Sequence, residues 1–235
     1  MNIENVMSQL EQLGTEQTKK TFMRHGASEP LFGVKIGDLK KLVKYVKKDQ
    51  DLALALYDTG NSDAMYLAGL SINPKLMTKE QLQDWMNKTN WHGITETIVA
   101  GVAAESPFAL ELARDWISSD DELVCACGWS TYTNYLSITD DSNIDVDEVR
   151  ELLRYIEKNI HIKKNRVRYC MNQFVIGAGA FVASLYEESY CVAEKIGKVQ
   201  VDVGNTACKV PLATDYLTKM ESKGYIGKKK KKCIC

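Results

Sequence analysis

The sequence has little proline and no Gly/Ser-rich stretch of the kind that forms linkers. Only 4 of its 235 residues are proline, and the 15 glycines are spread along the chain. Flexible segments between domains are typically rich in these residues. We therefore predict one domain over residues 1–226, followed by a basic, disordered tail over residues 227–235.

Long apolar runs are also absent. No run approaches the ~20 apolar residues that a helix needs to span a bilayer. Residues 1–12 carry two glutamates and no basic residue, whereas a signal peptide needs a positive start and an apolar core. The sequence predicts neither a leader peptide nor a membrane partner.

Metal-binding and disulfide patterns are missing from the cysteines and histidines. The 7 cysteines are odd in number and irregularly spaced, no C-x-x-C pair occurs, and His25, His92 and His161 lie far apart. Zinc sites need clustered ligands, and disulfides need an oxidising compartment. We therefore predict reduced cysteines, a cytoplasmic location, and neither a metal nor a cofactor.

Positive charge is concentrated at the C-terminus. Residues 223–235 carry six lysines and no acid, and subtracting these from the net charge of -1 leaves -7 for residues 1–222. Tight non-specific DNA binding usually rests on a basic surface, so an acidic body argues against it. The lysine-rich tail is typical either of an arm that touches nucleic acid or of a solubilising segment.

Helical periodicity covers almost the whole chain. Ile36, Leu39, Leu42, Val43 and Val46, for example, fall on one face of a helix whose other face carries lysines. The predicted helices span residues 2–13, 15–23, a segment beginning near residue 36, residues 49–57, 62–72, a segment beginning at residue 78, and residues 91–104, 107–117, 122–137, 146–159, 166–181, 184–196 and 211–222.

Helices of ~10–15 residues joined by short loops predict an all-α fold of stacked antiparallel helix pairs, a HEAT-like helical-repeat solenoid. A compact bundle without repeats is the alternative, since no strict sequence period separates the two. The alternating segment 199–203, V-Q-V-D-V, is too short to change the class.

Four segments resemble the AlkD-like DNA alkylation repair family. Residues 32–42, F-G-V-K-I-G-D-L-K-K-L, resemble its "Y/F-G-V-x-x-x-x-L-R/K-x-L" segment, and Asn90-Trp91 is similar to the start of its "N-W-D-x-x-D" segment. Residues 174–177, F-V-I-G, are similar to its "K-A-I-G-W" segment, and residues 202–211 resemble one branch of the family. The order and spacing of these segments make the resemblance more specific than any one motif.

The resemblance implies a HEAT-like fold that holds duplex DNA on a basic concave surface. It also implies a monofunctional glycosylase that removes cationic purines such as 3-methyladenine and 7-methylguanine without flipping the base. In the family an aspartate stabilises the developing oxocarbenium sugar, two tryptophans pack on the deoxyribose, and an arginine holds a phosphate.

This chain keeps only one of those four residues, Trp91. The positions that match the aspartate, the arginine and the second tryptophan hold Thr95, Ala126 and Ala178. Removing one preorganised electrostatic interaction costs ~10²–10³ in rate. We therefore predict weak or absent alkylpurine glycosylase activity in a protein that is associated with duplex or branched DNA.

Two other functions remain open. An active glycosylase with a rearranged site would use Glu96, one residue beyond the expected carboxylate, together with Trp91. A helical scaffold that binds protein and not DNA would suit the acidic body. The candidate DNA-binding residues are Lys40, Lys44, Lys47, Lys163, Lys164, Arg166 and Arg168, although a solvated helix face is the ordinary role of such residues. The oligomeric state that we favour is a monomer.

Overall fold

The computed structural model describes residues 1–234, most of which lie in α-helices. No β-strand occurs among the described residues, and segment 199–203 lies outside any helix. The prediction of an all-α protein is confirmed. The helices are α1 (Ile3–Leu13), α2 (Glu16–Arg24), α3 (Ile36–Val46), α4 (Gln50–Asp58), α5 (Ser62–Ser71), α6 (Lys79–Lys88), α7 (Ala100–Glu105), α8 (Ala109–Ile117), α9 (Glu122–Ile138), α10 (Val146–Asn159), α11 (Asn165–Phe181), α12 (Tyr186–Ile196) and α13 (Ala213–Ser222).

Polar residues explain where many of the helices begin. The side chains of Asn2, Thr15 and Asp49 each accept a hydrogen bond from the backbone N–H three residues further on. Thr78 and Gln81 form the reciprocal capping box that their spacing predicts at the start of α6. These bonds satisfy N–H groups that have no partner within the helix.

The helices divide between two compact units. The first unit consists mainly of Met1–Phe108 and includes Val203–Ala207, and the second consists of Ala109–Asp202 and Cys208–Cys233. In the first unit α5 packs against α3 and α4, and in the second α11 packs against α9, α12 and α13. The prediction of one domain over residues 1–226 stays a prediction.

A buried aspartate holds the loop that precedes α3. Asp63 is 2 % exposed, and its carboxylate accepts hydrogen bonds from the backbone N–H groups of Phe32, Gly33 and Val34 at 2.6, 2.9 and 2.8 Å. Gly33 has a φ of +81° and a backbone O that accepts from Thr15 N at 3.0 Å. A Cβ at Gly33 would lie 2.7 Å from Thr15 O. The F-G-V motif is therefore a structural element of this fold.

In the second unit, α8 and α9 approach each other closely at a glycine. A Cβ added to Gly128 would lie 2.5 Å from the backbone N of Ile117 and 2.9 Å from the O of Ala113. Backbone atoms cannot rotate away as a flexible side chain can. The absence of a side chain at Gly128 therefore permits the close packing of these two helices.

A three-residue polar network links α8, α9 and α10. Arg114 donates to both carboxylate oxygens of Glu148 at 2.7 Å, and the hydroxyl of Tyr132 donates to Glu148 Oε2 at 2.8 Å. Tyr132 is 1 % exposed. The Arg114 guanidinium holds the pKa of Glu148 below its ordinary value, with a smaller contribution from Tyr132.

Substituting Glu148→Gln is expected to lower the free energy of unfolding by about 1–2 kcal/mol at neutral pH, because Arg114 and Tyr132 lose a charged acceptor. Since the folded pKa is depressed, ionised Glu148 stabilises the fold fully above its unfolded pKa of about 4.3, and that contribution falls as the pH drops through the folded value. Urea unfolding at neutral and acidic pH measures the difference.

The exposed Glu151 on the same helix provides the control, Glu151→Gln. If Glu148→Gln lowers the free energy of unfolding as much at acidic pH as at neutral pH, the effect does not come from the charge of Glu148.

The described part of the C-terminal tail is hydrogen-bonded to the second unit. Gly227 N donates to Ala180 O at 2.9 Å, and Lys230 N donates to Ser137 O at 2.7 Å. The composition of the tail predicted disorder over residues 227–235 and none of these contacts. Cys235 lies outside the described residues.

Candidate nucleic-acid interface

Asn90 anchors the polar loop that precedes Trp91. Its side-chain amide donates to Gly60 O at 3.2 Å and to the Ser62 hydroxyl at 3.0 Å. Both partners lie at the beginning of α5, so the loop is tied to a helix of the same unit. The Asn90-Trp91 motif thus has a positioning role in the fold that is independent of any chemistry.

Trp91 is half-buried and packs on its neighbours. Its ring centroid lies 6.1 Å from that of Phe22 and 5.5 Å from that of His92, and a Cβ at Gly93 would collide with the indole ring. The buried Nε1 of Trp91 has no hydrogen-bond partner among the described residues. Trp91 is therefore neither fully core nor fully exposed.

The segment after Trp91 is a wide helical turn. Ile94–Val99 form a π-helix that continues into α7, and Ala100 N donates to Thr95 O, five residues back. The sequence predicted one continuous helix over residues 91–104. Such π turns are rare and occur frequently at functional sites.

Thr95 occupies the position that matches the family aspartate, and it faces the interior. Its exposure is 0 %, and its hydroxyl lies 3.0 Å from Trp91 O and 2.8 Å from the hydroxyl of Thr89. Glu96, the next residue, is partly exposed. The side chain at the aspartate position thus contacts protein groups and not solvent.

The two remaining matched positions lie in the core of the second unit. Ala126 in α9 and Ala178 in α11 are both 0 % exposed and belong to one hydrophobic cluster. Three of the four positions that the resemblance singles out are therefore completely buried, and none of the three carries an ionisable group.

The candidate cations on α3 are exposed. Lys40, Lys44 and Lys47 lie on the face opposite the buried Leu39 and Val46. Lys44 Nζ lies 4.8 Å above the ring of Tyr45. This arrangement is that of a solvated helix face that is able to contact phosphates.

A second group of cations surrounds the beginning of α11. Lys163 Nζ lies 5.2 Å above the ring of Tyr155, and the guanidinium of Arg166 lies 4.4 Å above the ring of Tyr169. Lys164 donates to Asp120 O at 2.7 Å. An aromatic ring and a backbone carbonyl carry no formal charge, so these contacts position Lys163 and Lys164 without cancelling their charge.

Arg168 completes the group. One of its terminal nitrogens lies 3.4 Å from the Asn165 side-chain oxygen, while its Nε is buried without a hydrogen-bond partner among residues 1–234. Lys163, Lys164, Arg166 and Arg168 all lie around the beginning of α11 in one unit, whereas Lys40, Lys44 and Lys47 belong to the other unit.

The described residues show neither a metal-binding cluster nor a membrane-spanning helix. Residues 1–234 contain no group of three or more His, Cys, Asp or Glu side chains placed to hold a metal ion. Within the same residues, none of the helices combines the length and the apolar character that crossing a membrane requires.

Comparisons with known proteins agree with one another. Residues 6–186 match the family model described as DNA alkylation repair enzyme. The proteins Lmo0209 of Listeria monocytogenes and Lin0241 of Listeria innocua, each named an uncharacterized protein, are 35 % and 33 % identical to the chain, and each match covers 92 % of this chain and 96 % of the relative.

One solved structure is similar over its full length. It is described as a new family of proteins related to the HEAT-like repeat DNA glycosylases with affinity for branched DNA structures. The two structures align with a TM-score of 0.92 and 34 % identity over 100 % of both chains. The HEAT-like repeat fold that the sequence predicted is thereby confirmed.

Proposed function

This chain belongs to the DNA alkylation repair enzyme family, and from that membership we propose that it is a DNA-binding member with weak or absent alkylpurine glycosylase activity. The weak or absent activity is supported mainly by the burial of Thr95, Ala126 and Ala178 at 0 % exposure. A buried threonine and two buried alanines supply neither the anion nor the phosphate clamp that excision requires.

The missing carboxylate matters because of the charge that forms during excision. A cationic alkylated purine leaves without a general acid, so the developing positive charge on the sugar is the species that needs stabilising. A preorganised contact of that kind contributes ~3–4 kcal/mol to the transition state. Thr95, whose hydroxyl lies 3.0 Å from Trp91 O, offers no charge for this purpose.

DNA binding is supported by the cations at the beginning of α11 and on α3. An uncharged aromatic ring positions Lys163, and a backbone carbonyl positions Lys164. Cations of this kind release counterions from phosphates, which gives binding its salt dependence. The similar structure described as having affinity for branched DNA structures makes junctions the first substrates to test.

We expect the protein to bind a labelled three-way DNA junction with an affinity that falls steeply with salt. In the variant Lys163→Gln/Lys164→Gln/Arg168→Gln, the slope of log affinity against log salt should become shallower by about 0.9 for each phosphate that is no longer neutralised. Fluorescence anisotropy titrations at several salt concentrations, with a duplex of equal length beside the junction, measure both quantities.

The matched control is the variant Lys41→Gln/Lys88→Gln/Lys195→Gln. It removes the same number of charges, but each of these lysines already pairs with an acid. Its slope should equal that of the unmodified protein. If the unmodified protein binds neither junction nor duplex, the proposal fails and the helical protein-binding scaffold takes its place.

A further inference from the structure

We propose that residues 227–232, here called the lysine strap, form an ordered surface that binds the phosphates of DNA. This inference rests on the proposed DNA binding and names a further part of the interface. The lysine strap holds Lys228, Lys229, Lys230, Lys231 and Lys232.

The strap lies across the carboxyl ends of two helices. Gly227 N donates to the O of Ala180, in the last turn of α11, and Lys230 N donates to the O of Ser137, in the last turn of α9. Carbonyl groups in the last turn of a helix have no partner within that helix. The strap therefore satisfies backbone groups that would otherwise need water, and its own backbone becomes ordered.

Lys229 fixes the middle of the strap. Its side chain is 17 % exposed, and Nζ donates to Leu136 O at 3.0 Å and pairs with Asp141 Oδ1 at 2.7 Å. A cation at a helix carboxyl end also interacts favourably with the helix dipole. Lys229 therefore has a structural role, and its charge is compensated within the protein.

The other four lysines of the strap differ from Lys229 in this respect. They are exposed, and none of them forms an ion pair with a residue in the part of the chain that the structure describes. Lys228 Nζ lies 4.8 Å above the ring of Tyr225, and Lys230 Nζ lies 5.1 Å above the ring of Phe181. The rings restrict these side chains while the positive charge remains available.

The four exposed lysines of the strap repel one another in the free protein, and the negative charge of a bound polyanion reduces this repulsion. Preorganised cations also lose less side-chain freedom on binding than cations on a flexible arm. Residues 1–222 have a net charge of -7 and would repel DNA in general, so contact with phosphates depends on local cationic surfaces such as the strap. Regularly spaced phosphates fit this surface better than a single anion does.

The experiment uses the full chain, a labelled three-way DNA junction and the variant Lys228→Gln/Lys231→Gln/Lys232→Gln. This variant keeps Lys229 and Lys230, which make the anchoring bonds, so its melting temperature should not change. The salt slope should become shallower by about 2.7, and at ~0.1 M salt the affinity should fall at least about tenfold. The control Lys41→Gln/Lys88→Gln/Lys195→Gln makes the same change in net charge and should leave the slope unaltered.

A second variant, Lys229→Met, separates an ordered strap from a flexible arm. It removes the anchor to Leu136 and Asp141, so it should lower the melting temperature and weaken binding to the junction by at least about twofold, because the released lysines lose more side-chain freedom on binding. An unchanged melting temperature or an unchanged affinity for the junction overturns the ordered strap.

If the first variant binds the junction with an unchanged slope, the strap assignment is wrong while the proposed DNA binding stands. A complete lack of binding by the unmodified protein overturns both.

Discussion

Duplex DNA that carries 7-methylguanine or 3-methyladenine is expected to release its modified bases little or no faster in the presence of this protein than in buffer alone. Excision needs an anion close to the developing sugar cation, and the position that matches the family aspartate is the completely buried Thr95. The absence of that anion alone lowers the rate by ~10²–10³. The replacement of the matched arginine and second tryptophan by Ala126 and Ala178 lowers it further.

Chromatographic measurement of released base tests this prediction, with an active alkylpurine glycosylase as the positive control. Binding of the same protein sample to a DNA junction shows that the sample is folded. Release clearly above the uncatalysed rate, at a rate comparable to that of the positive control, would contradict the prediction. The variant Glu96→Gln would then decide whether Glu96 supplies the missing carboxylate, since an active site rearranged around Glu96 would lose its activity.

Replacement of Asp63 by alanine should destabilise the protein by at least about 3–5 kcal/mol, because each buried donor left without an acceptor costs about 1–3 kcal/mol. Three backbone N–H groups, those of Phe32, Gly33 and Val34, would lose their acceptor at once. At 2 % exposure Asp63 leaves little room for water to replace the carboxylate. The free energy of unfolding in urea, measured by circular dichroism, gives the magnitude.

The exposed Asp51 is the matched control for this substitution. It too lies in the first turn of a helix in the same unit, so Asp51→Ala loses the favourable interaction with the helix dipole but no buried hydrogen bonds. We expect a decrease of only about 0.3–1 kcal/mol in the free energy of unfolding of that variant. Equal decreases in the two variants would show that the bonds to the loop contribute little.

Most of the fold could be predicted from local sequence signals. Helix starts at Asn2, Thr15, Asp49 and Thr78 follow from side chains that cap the helix within three residues, and such short-range bonds are visible in a linear sequence. The amphipathic spacing of apolar residues identified α3, because this pattern also involves only residues close in the sequence. The all-α class follows from these local patterns. They left a compact bundle as an alternative to the HEAT-like solenoid, and the resemblance to the AlkD-like family favoured the solenoid.

Features that depend on distant residues could not be predicted in this way. Asp63 binds backbone groups about thirty positions earlier in the chain, and no periodicity indicates that pairing. The π turn at Ile94–Val99 widens a helix without altering the kinds of residue in it. The ordering of Lys229 also depends on a distant partner, the carbonyl group of Leu136.

Only part of the candidate site could be predicted, because the burial of a residue depends on contacts with distant parts of the chain. Lys163, Lys164, Arg166 and Arg168 are neighbours in the sequence, so their placement around the beginning of α11 could be predicted without the structure. Burial at Thr95, Ala126 and Ala178 depends on packing against other helices, which a motif alignment does not contain. The motif shows which family residues are replaced in this chain, and the structure shows that the replacements are buried.

The hydrogen bond between Lys229 and Leu136 joins residues 93 positions apart. During synthesis the chain emerges from its N-terminus, so α9 is complete long before the residues that close its carboxyl end exist. The second unit therefore acquires these stabilising bonds only after residue 229 has been made. A ribosome that stops a few codons before that point would release a polypeptide with α1 to α13 complete and the end of α9 open to water.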